Sequence, residues 1–563
     1  PAYRINAMSA LLAAVGVGFL YRVNRALSLT PVIAAFAALA FGLSTALWSQ
    51  AVIAEVYATD ACLQAVTLWC LLQWSLRVGR VGAERAARRW FTAFAFVLGA
   101  SLGTHLSNLG FAPAYALFVL ARDPMIVRRS GEILLAFGAF ALAALQYLWL
   151  PLRGGLFDLY PNPSPVSLAG FYAYTIGAFS NMRFGFPLAA FPARIYFYGT
   201  LLVDNFTLWG VAVGGLGMWA MHDRHPLAWW MLLGVYLVNV VFSSQLSVPD
   251  PEVFFIAGYL AWSVFIGFGT EAIGRWMMAR LGGRFGRDMP RLRAAVVAMG
   301  LIAILIPFGR AGFAENDRRT DTLVDDFDRA VLGALPPSSA LVGARGAFGA
   351  HLPFWQTVRG IRPDVTILGQ GAATRPAGAP LYTAVQLFDG HPSPTGRLGE
   401  RADDLPEDAW YVPELLGNRH VQVLARVTYE PPELVVRTVP PTARREQVLG
   451  ELRLLGLTAQ QTAPWARSVH VESYWRLGSL PGAVVSTRVD DHTLEAHDLG
   501  LGNLERYRSE VGLAADAIVA ERFDVVLPSW LAAGPHRFSI GVSQVVEGRL
   551  RTTWIVAGEV ALD

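Results

Sequence analysis

The chain has 563 residues, of which 54% are hydrophobic and 16% are charged, and its formal net charge is +3. A soluble protein of this length carries about 25% charged residues, so the composition excludes an ordinary soluble enzyme. The small net charge gives no indication of a nucleic-acid partner. We therefore interpret the chain as a multi-pass membrane protein that carries a soluble region.

Ten apolar segments in the first half of the chain are candidate membrane spans, because a helix needs about 20 mostly apolar residues to cross a bilayer. They are residues 5–21, 30–47, 56–76, 90–104, 106–121, 133–150, 202–221, 227–242, 253–273 and 294–307. Residues 1–310 are therefore predicted to form an α-helical transmembrane domain.

Arginine is concentrated in every second connection between these segments. The basic connections contain Arg22 and Arg25, the five arginines of 77–89, those of 122–129, Arg224 and the arginines of 275–293. Since basic loops stay in the cytoplasm, this alternation predicts that Pro1 and everything after Phe308 lie outside. We expect the protein in the inner (cytoplasmic) membrane of a bacterium. An outer Pro1 directly before a span also predicts an additional helix and outer loop upstream of it.

After Arg310 the composition changes to that of a soluble region. An amphipathic helix at 321–335 and short apolar strands at 340–342 and 365–368 predict an α/β segment over 311–440. Residues 441–563 contain strand-like alternation, clearest at Phe538, Ile540 and Val542. With turns such as Gly534-Pro535, this pattern predicts a β-sandwich module.

Polar and ionisable residues cluster at the span ends predicted to face the outside, where burying a charge needs a functional or structural reason. They are Gln50, Glu55, Tyr57, Asp60, His105, Asn108, Arg153, Asp250 and Glu252. They come from distant connections on one face of the membrane and can therefore converge on one cavity. A carboxylate in such a cavity could act as general base on an acceptor hydroxyl, while His or Arg holds a phosphate that leaves.

Each of these residues also has a structural interpretation. Glu55 suits a helix N-terminus because the helix dipole favours an anion there, and Asp250 with Glu252 could cap the helix beginning at Val253. His105 could be a satisfied turn histidine, and Arg153 could anchor to lipid headgroups. Asp60 could simply form a pair within the helix bundle. A pair of acidic residues could act alone or bind a divalent metal ion, so the sequence does not decide whether the site holds a metal.

Residues 48–58, Trp-Ser-Gln-Ala-Val-Ile-Ala-Glu-Val-Tyr-Ala, resemble the signature of a large, mostly bacterial family of membrane proteins. That family includes the transmembrane protein O-mannosyltransferase of the animal endoplasmic reticulum. Weaker matches to the same family occur in its order along the chain, at residues 1–10, 103–106, 150–153, 248–254, 353–355 and 360–365.

The resemblance implies a GT-C glycosyltransferase that transfers a sugar, with inversion, from a polyprenyl-phosphate donor. The acceptor would be an exported protein or an envelope glycan on the outer side, and mannose is one candidate sugar. We expect Glu55, Asp250 and Glu252 to be catalytic. We expect the substrates to be bound by Gln50, Tyr57, His105, Asn108 and Arg153.

Two departures from the family pattern affect these expectations. Family members usually begin with an extra helix and an acidic outer loop, expected to supply a catalytic Asp, and this sequence starts after that point. Residues 160–165 also replace an acidic Gly-Asp-Pro stretch. The alternative interpretation is a non-catalytic membrane protein, either a lipid-linked-sugar transporter or a partner in cell-envelope assembly. A transporter is expected to contain repeat symmetry and broken helices, and neither is clear in the sequence.

Overall fold

A computed structural model describes residues 2–156, 166–175, 183–184, 188–248, 250–281, 290–319, 322–342, 347–368, 375–388, 391–393, 409–416, 422–463, 467–478, 483–501, 503–528, 530–546 and 549–562. The chain forms two compact units, Pro1–Arg318 and Arg319–Asp563. The first unit is helical and the second is rich in β-strands.

The first unit contains thirteen described α-helices. They are α1 (Ala2–Ala26), α2 (Pro31–Gly42), α3 (Thr45–Ala51), α4 (Tyr57–Ser75), α5 (Glu84–Ser101), α6 (Ala112–Arg122), α7 (Ser130–Ala144), α8 (Trp149–Leu156), α9 (Leu168–Thr175), α10 (Phe191–Arg224), α11 (Pro226–Ser244), α12 (Ile256–Leu281) and α13 (Pro290–Asn316). Short 3₁₀ helices at Leu106–Phe111 and Pro251–Phe255 lie directly before α6 and α12.

Helical structure occurs at all ten segments predicted to span the membrane. Six described helical segments are long and apolar enough to cross a bilayer: Tyr3–Ala26, Ser130–Arg153, Phe191–Arg224, Pro226–Ser244, Pro251–Arg280 and Val297–Asn316. The pair α2 and α3, bent by 66°, would make a seventh. A helical unit with several apolar spans is thus confirmed, and the number ten stays a prediction.

Helix α12 is the centre of the first unit. In the most apolar 18-residue stretch of Pro251–Arg280, which contains most of α12, 89% of the residues are buried. The corresponding stretch of α10 is only 28% buried, so other helices enclose α12. Glycines allow the closest approach between these two helices: a Cβ on Gly217 would lie 1.7 Å from the Phe265 carbonyl oxygen. Small residues at such crossings let helix backbones pack directly against one another.

The bend between α2 and α3 is stabilised by polar groups. The Ser44 hydroxyl donates to the Phe41 carbonyl at 2.7 Å. At the start of α3, the Asn205 side-chain oxygen of α10 accepts the Ala46 amide at 2.9 Å. Because a helix N-terminus leaves its first amides without intrahelical partners, this bond fixes where α3 begins. The bend places the turn that follows α3 beside the start of α4.

The second unit contains strands β3–β17 and helices α14–α16, and the two-residue strands β1 (Arg183–Phe184) and β2 (Leu246–Ser247) pair in the first unit. The strands are β3 (Ala340–Val342), β4 (Thr366–Ile367), β5 (Leu381–Phe388), β6 (His391–Ser393), β7 (Trp410–Leu416), β8 (Gln422–Thr428), β9 (Val435–Val436), β10 (Arg444–Leu449), β11 (Leu452–Ala463), β12 (Ser468–Arg476), β13 (Val484–Val489), β14 (His492–Asp498), β15 (Ile518–Val526), β16 (Gly534–Val546) and β17 (Arg549–Leu562). The helices are α14 (Leu323–Ala334), α15 (Ala347–Arg359) and α16 (Leu504–Glu510).

The described residues of this unit form two sheets. The larger runs β10-β11-β12-β15-β7-β8-β5-β3-β4, with β6 beside β5 and β9 beside β15, and the smaller runs β14-β13-β16-β17. Their inner faces share one core, in which Trp475 and Phe523 of the larger sheet meet Phe538 and Ile540 of the smaller. The larger sheet contains strands from both sides of residue 440, and a domain division there stays a prediction. The predicted β-rich region at the end of the chain is confirmed.

Candidate active site

Three connections of the helical unit meet at one place. Tyr57 begins α4, His105 precedes the 3₁₀ helix Leu106–Phe111, and Phe254 lies in the 3₁₀ helix before α12. The Tyr57 and His105 rings are 4.8 Å apart between centroids. Phe254 lies 5.5 Å from the Tyr57 ring and 6.0 Å from the His105 ring. These separations are typical of packed aromatic rings and hold the three connections together.

Four carboxylates interact electrostatically with Tyr57 in this aromatic cluster. Asp250, Glu55, Asp60 and Glu252 all lie close enough to the Tyr57 hydroxyl for electrostatic interaction with it. Glu55 and Asp250 are exposed, Glu252 is half-buried, and Asp60 is buried. The structure therefore brings the predicted acidic residues from separate connections together. Asp250 precedes the 3₁₀ helix Pro251–Phe255, and its side chain forms no capping hydrogen bond there.

Asp60, one turn into α4, is the centre of a buried hydrogen-bond network. Its Oδ1 accepts the Thr104 hydroxyl and the Asn108 side-chain amide, both at 2.6 Å. Its Oδ2 accepts the Gln64 amide at 2.5 Å. Both Thr104 and Asn108 flank His105 in the chain, so the network attaches the His105 turn to α4. Hydrogen bonds of this kind stabilise a buried carboxylate that has no cationic partner.

A cavity of about 140 Å³ lies beside these residues, and its wall includes Tyr57, Asp60, His105 and Phe254. Since one water occupies about 30 Å³ in the liquid, the cavity has room for a small polar group such as a phosphate. His105 Nε2 is buried and has no hydrogen-bond partner among the described residues. A buried polar atom without a partner favours a ligand or water at that position.

Asn239 and Ser243 of α11 complete the wall of the cavity. The Asn239 amide and the Ser243 hydroxyl each donate to the Phe254 carbonyl at 2.9 Å. The Asn239 side-chain oxygen also accepts the Gly258 amide at 2.9 Å, which fixes the start of α12. Neither residue is among those predicted from the sequence. Their spacing of four on an apolar helix, which puts two polar groups on one face, is the signal that could have identified them.

Five predicted site residues do not line this cavity in the described part of the chain: the predicted catalytic residues Glu55, Asp250 and Glu252, and the predicted substrate-binding residues Arg153 and Gln50. The Arg153 guanidinium in α8 lies 5.9 Å from the Trp149 ring. Gln50 is buried in α3 and donates to the Ser49 hydroxyl at 3.3 Å. Their roles stay predictions, and residues 160–165 lie outside the described residues.

No group of three or more His, Cys, Asp or Glu side chains among the described residues has the arrangement to hold a metal ion. The acidic residues around Tyr57 therefore do not form a ready set of metal ligands.

Residues 1–126 match a family model described as the N-terminal domain of protein O-mannosyl-transferase TMEM260. The predicted family resemblance is confirmed over these residues. The match contains the first of the three meeting connections, with Glu55 and Tyr57, and the second, with His105 and Asn108. No curated protein sequence matches the chain.

Solved structures with a similar arrangement include two of ArnT from Cupriavidus metallidurans. The apo form has 16% sequence identity and a TM-score of 0.47, over 75% of this chain and 83% of ArnT. The form bound to undecaprenyl phosphate has 16% identity and a TM-score of 0.46 over the same shares. The Archaeoglobus fulgidus oligosaccharyltransferase AglB, in complex with an inhibitory peptide and a dolichol-phosphate, has 12% identity and a TM-score of 0.35, over 64% of this chain and 53% of AglB.

Proposed function

We propose that this chain is a membrane glycosyltransferase of the GT-C type. It transfers a sugar, with mannose as one candidate, from a polyprenyl-phosphate donor to a hydroxyl of an exported protein or envelope glycan. The observation that carries this proposal is the meeting of Tyr57, Asp60 and His105 at one cavity, with Glu55, Asp250 and Glu252 close enough to Tyr57 to interact with it electrostatically. The family match over residues 1–126 supports it.

The two exposed carboxylates suit a general base. An inverting transfer needs a base that removes the proton of the acceptor hydroxyl as it attacks the sugar, on the side opposite the leaving phosphate. Glu55 is exposed in the turn between α3 and α4, so an acceptor can reach it from the solvent. Asp250 is also exposed, and the half-buried Glu252 provides a second acidic group beside it.

His105 suits the leaving phosphate. Its Nε2 is buried without a partner among the described residues, and the imidazole ring is held between Tyr57 and Phe254. An N–H at this nitrogen would donate a hydrogen bond to a phosphate oxygen, and this bond strengthens as charge develops there. Asn108 already donates to Asp60 and to the Ser101 carbonyl, so we assign it the positioning of the His105 turn. Arg153 remains a candidate second phosphate ligand.

The arginine-rich connections lie at the opposite ends of the helices that carry this site, which supports an outer location for the site. The protein would then lie in a bacterial inner membrane, with residues 319–563 outside and available to position the acceptor. The lipid-linked donor would reach the site from the bilayer.

The proposal is tested by reconstituting the full chain and measuring transfer from radiolabelled polyprenyl-phosphate sugars to endogenous envelope acceptors. We expect Glu55→Gln to lower kcat by 100-fold or more, because loss of a general base costs about 10²–10⁴ in rate. Glu84→Gln is the matched control, since Glu84 is an exposed glutamate at the start of α5 and away from the cavity.

An unchanged rate for Glu55→Gln would remove Glu55 from the reaction. No transfer by the wild-type chain from any donor, together with movement of a lipid-linked sugar across the bilayer, would favour the non-catalytic transporter and contradict the proposal.

A further inference from the structure

A second groove lies between α5 and α7, separate from the cavity around His105. Its volume is about 590 Å³, within the range of small-molecule sites. The wall from α5 contains residues at positions 88, 89, 92, 93, 96 and 97, and the wall from α7 contains Leu135, Ala139 and Leu142. Both sets repeat every three to four residues, so each forms one face of its helix.

The two helices run in the same direction. Residues early in α5 line the groove with α7, and further along α5 a Cβ on Gly99 would lie 2.5 Å from the Phe140 carbonyl oxygen. Beyond that contact, the Gln146 side chain donates to the Ala100 carbonyl at 3.0 Å. The groove therefore has one end at the start of α5, where the arginines lie, and is closed at the other end by this tight packing.

The arginine end of the groove carries two free cations. Arg88 and Arg89 are exposed, and neither guanidinium forms an ion pair or hydrogen bond with another residue in the described part of the chain. They lie in the first two turns of α5 and are the last of the arginines at 77–89, which the charge alternation places at the cytoplasmic end. One turn inside, Thr92 lines the groove, and its hydroxyl has no partner among the described residues.

The remaining wall is apolar and open to the bilayer. Phe96 is 43% exposed, Leu135 48% and Leu142 62%, although all three are large hydrophobic side chains. A ligand that matches this surface has an anionic head of hydrogen-bond acceptors at one end and an aliphatic chain at the other. A free anion would not use the apolar wall, and a zwitterionic lipid would leave one of the two arginine charges without a net counter-charge, because its own cation balances its phosphate.

We propose that the groove between α5 and α7 is a binding site for an anionic phospholipid of the inner leaflet. Arg88 and Arg89 bind the headgroup phosphate, Thr92 donates to a phosphate or ester oxygen, and an acyl chain lies along Phe96, Leu135 and Leu142. Basic pockets between membrane helices on the cytoplasmic side bind anionic headgroups in this way. The site is at the opposite end of α5 from His105, so its occupancy stabilises the α5–α7 pair without entering the proposed reaction.

The experiment is native mass spectrometry of the full chain in a neutral detergent, with phosphatidylglycerol or phosphatidylcholine of identical acyl chains added. We expect the wild type to bind one phosphatidylglycerol more tightly than phosphatidylcholine. Each arginine near an anionic headgroup contributes about fivefold in affinity, so Arg88→Gln with Arg89→Gln should weaken phosphatidylglycerol binding about 30-fold. Phosphatidylcholine carries the same phosphate but balances its charge with its own choline cation, so its binding should weaken less than that of phosphatidylglycerol.

The matched control is Arg80→Gln with Arg85→Gln, which removes the same charge from the same connection but outside the groove. We expect it to weaken phosphatidylglycerol binding less than threefold. Ala139→Trp fills the groove and keeps both arginines, and it should also weaken phosphatidylglycerol binding; helical content from circular dichroism checks that each variant is folded. The proposal would be overturned if both double arginine variants lost the same phosphatidylglycerol affinity. It would also be overturned by unchanged phosphatidylglycerol binding in folded Ala139→Trp, or by equal affinity of the wild type for the two lipids.

Discussion

Replacing Asp60 tests whether the buried network around it holds the candidate site together. Asp60→Ala removes the acceptor of three side chains, Thr104, Asn108 and Gln64. A buried donor left without its acceptor costs about 1–3 kcal/mol. Each of these donors has a second acceptor: the Ser101 carbonyl for Thr104 and Asn108, and the Asn108 side-chain oxygen for Gln64.

The lower limit of that range therefore applies to each donor, and we expect Asp60→Ala to lower the free energy of unfolding by about 2–3 kcal/mol. Asp60→Asn keeps one acceptor oxygen and should cost about 1 kcal/mol. Asp60 acts through Thr104 and Asn108 on the His105 turn. If the proposed function holds, both variants should raise the KM for the lipid-phosphate donor more than they lower kcat.

Unfolding in mixed detergent micelles, followed by circular dichroism at increasing dodecyl sulfate, measures these differences. Thr59→Ala is the control, because Thr59 is a half-buried neighbour on α4 that lies outside the network. If Asp60→Ala and Asp60→Asn both cost less than about 0.5 kcal/mol, the effect would be that of an ordinary surface substitution and our interpretation of the network would be refuted.

Two further predictions concern the second unit, in which pulse proteolysis of the full chain in urea measures the free energy of unfolding. Burial raises the pKa of Asp328 from 3.8 to about 7, so the stability of the folded state falls as the pH rises from about 4 to 7. Asp328→Asn should then add about 2–4 kcal/mol at pH 8 and little at pH 4, and equal effects at both would contradict this. The hydrogen bond to Asp524, at 2.6 Å, raises the pKa of His470. Its contribution is fully present below the ordinary histidine pKa of about 6.5 and is lost as the pH rises through the raised value, so His470→Gln should cost more at pH 5.5 than at pH 8.5. A cost that does not depend on pH would show that the His470 charge does not contribute.

Several elements of the fold follow from local sequence. The segment predicted at 56–76 is helix α4, Tyr57–Ser75, because a run of this length and apolarity must pair its backbone groups within itself when no water is available. The alternation at Phe538, Ile540 and Val542 predicts one buried strand face, and all three side chains are buried in β16. The length and apolarity of the segment decide the helix, and the period of two in the apolar side chains decides the strand.

The candidate site follows only in part from the sequence. The polar span ends identify Glu55, His105, Asp250 and Glu252 as candidates, since a charge beside a bilayer needs a partner or a function. The same argument gives Asp60 no special place, although the structure makes it the acceptor of three buried side chains.

The sequence by itself thus determined that the chain is helical and apolar in its first half and β-rich at its end, because hydrophobic period and composition are local properties. Only the tertiary structure decided that Tyr57, His105 and Phe254 pack together, that Arg153 and Gln50 lie outside the cavity wall, and that the Asp60 network holds the His105 turn. These contacts join residues up to about 200 positions apart, and they depend on how α4, α5, α11 and α12 pack together rather than on any local pattern.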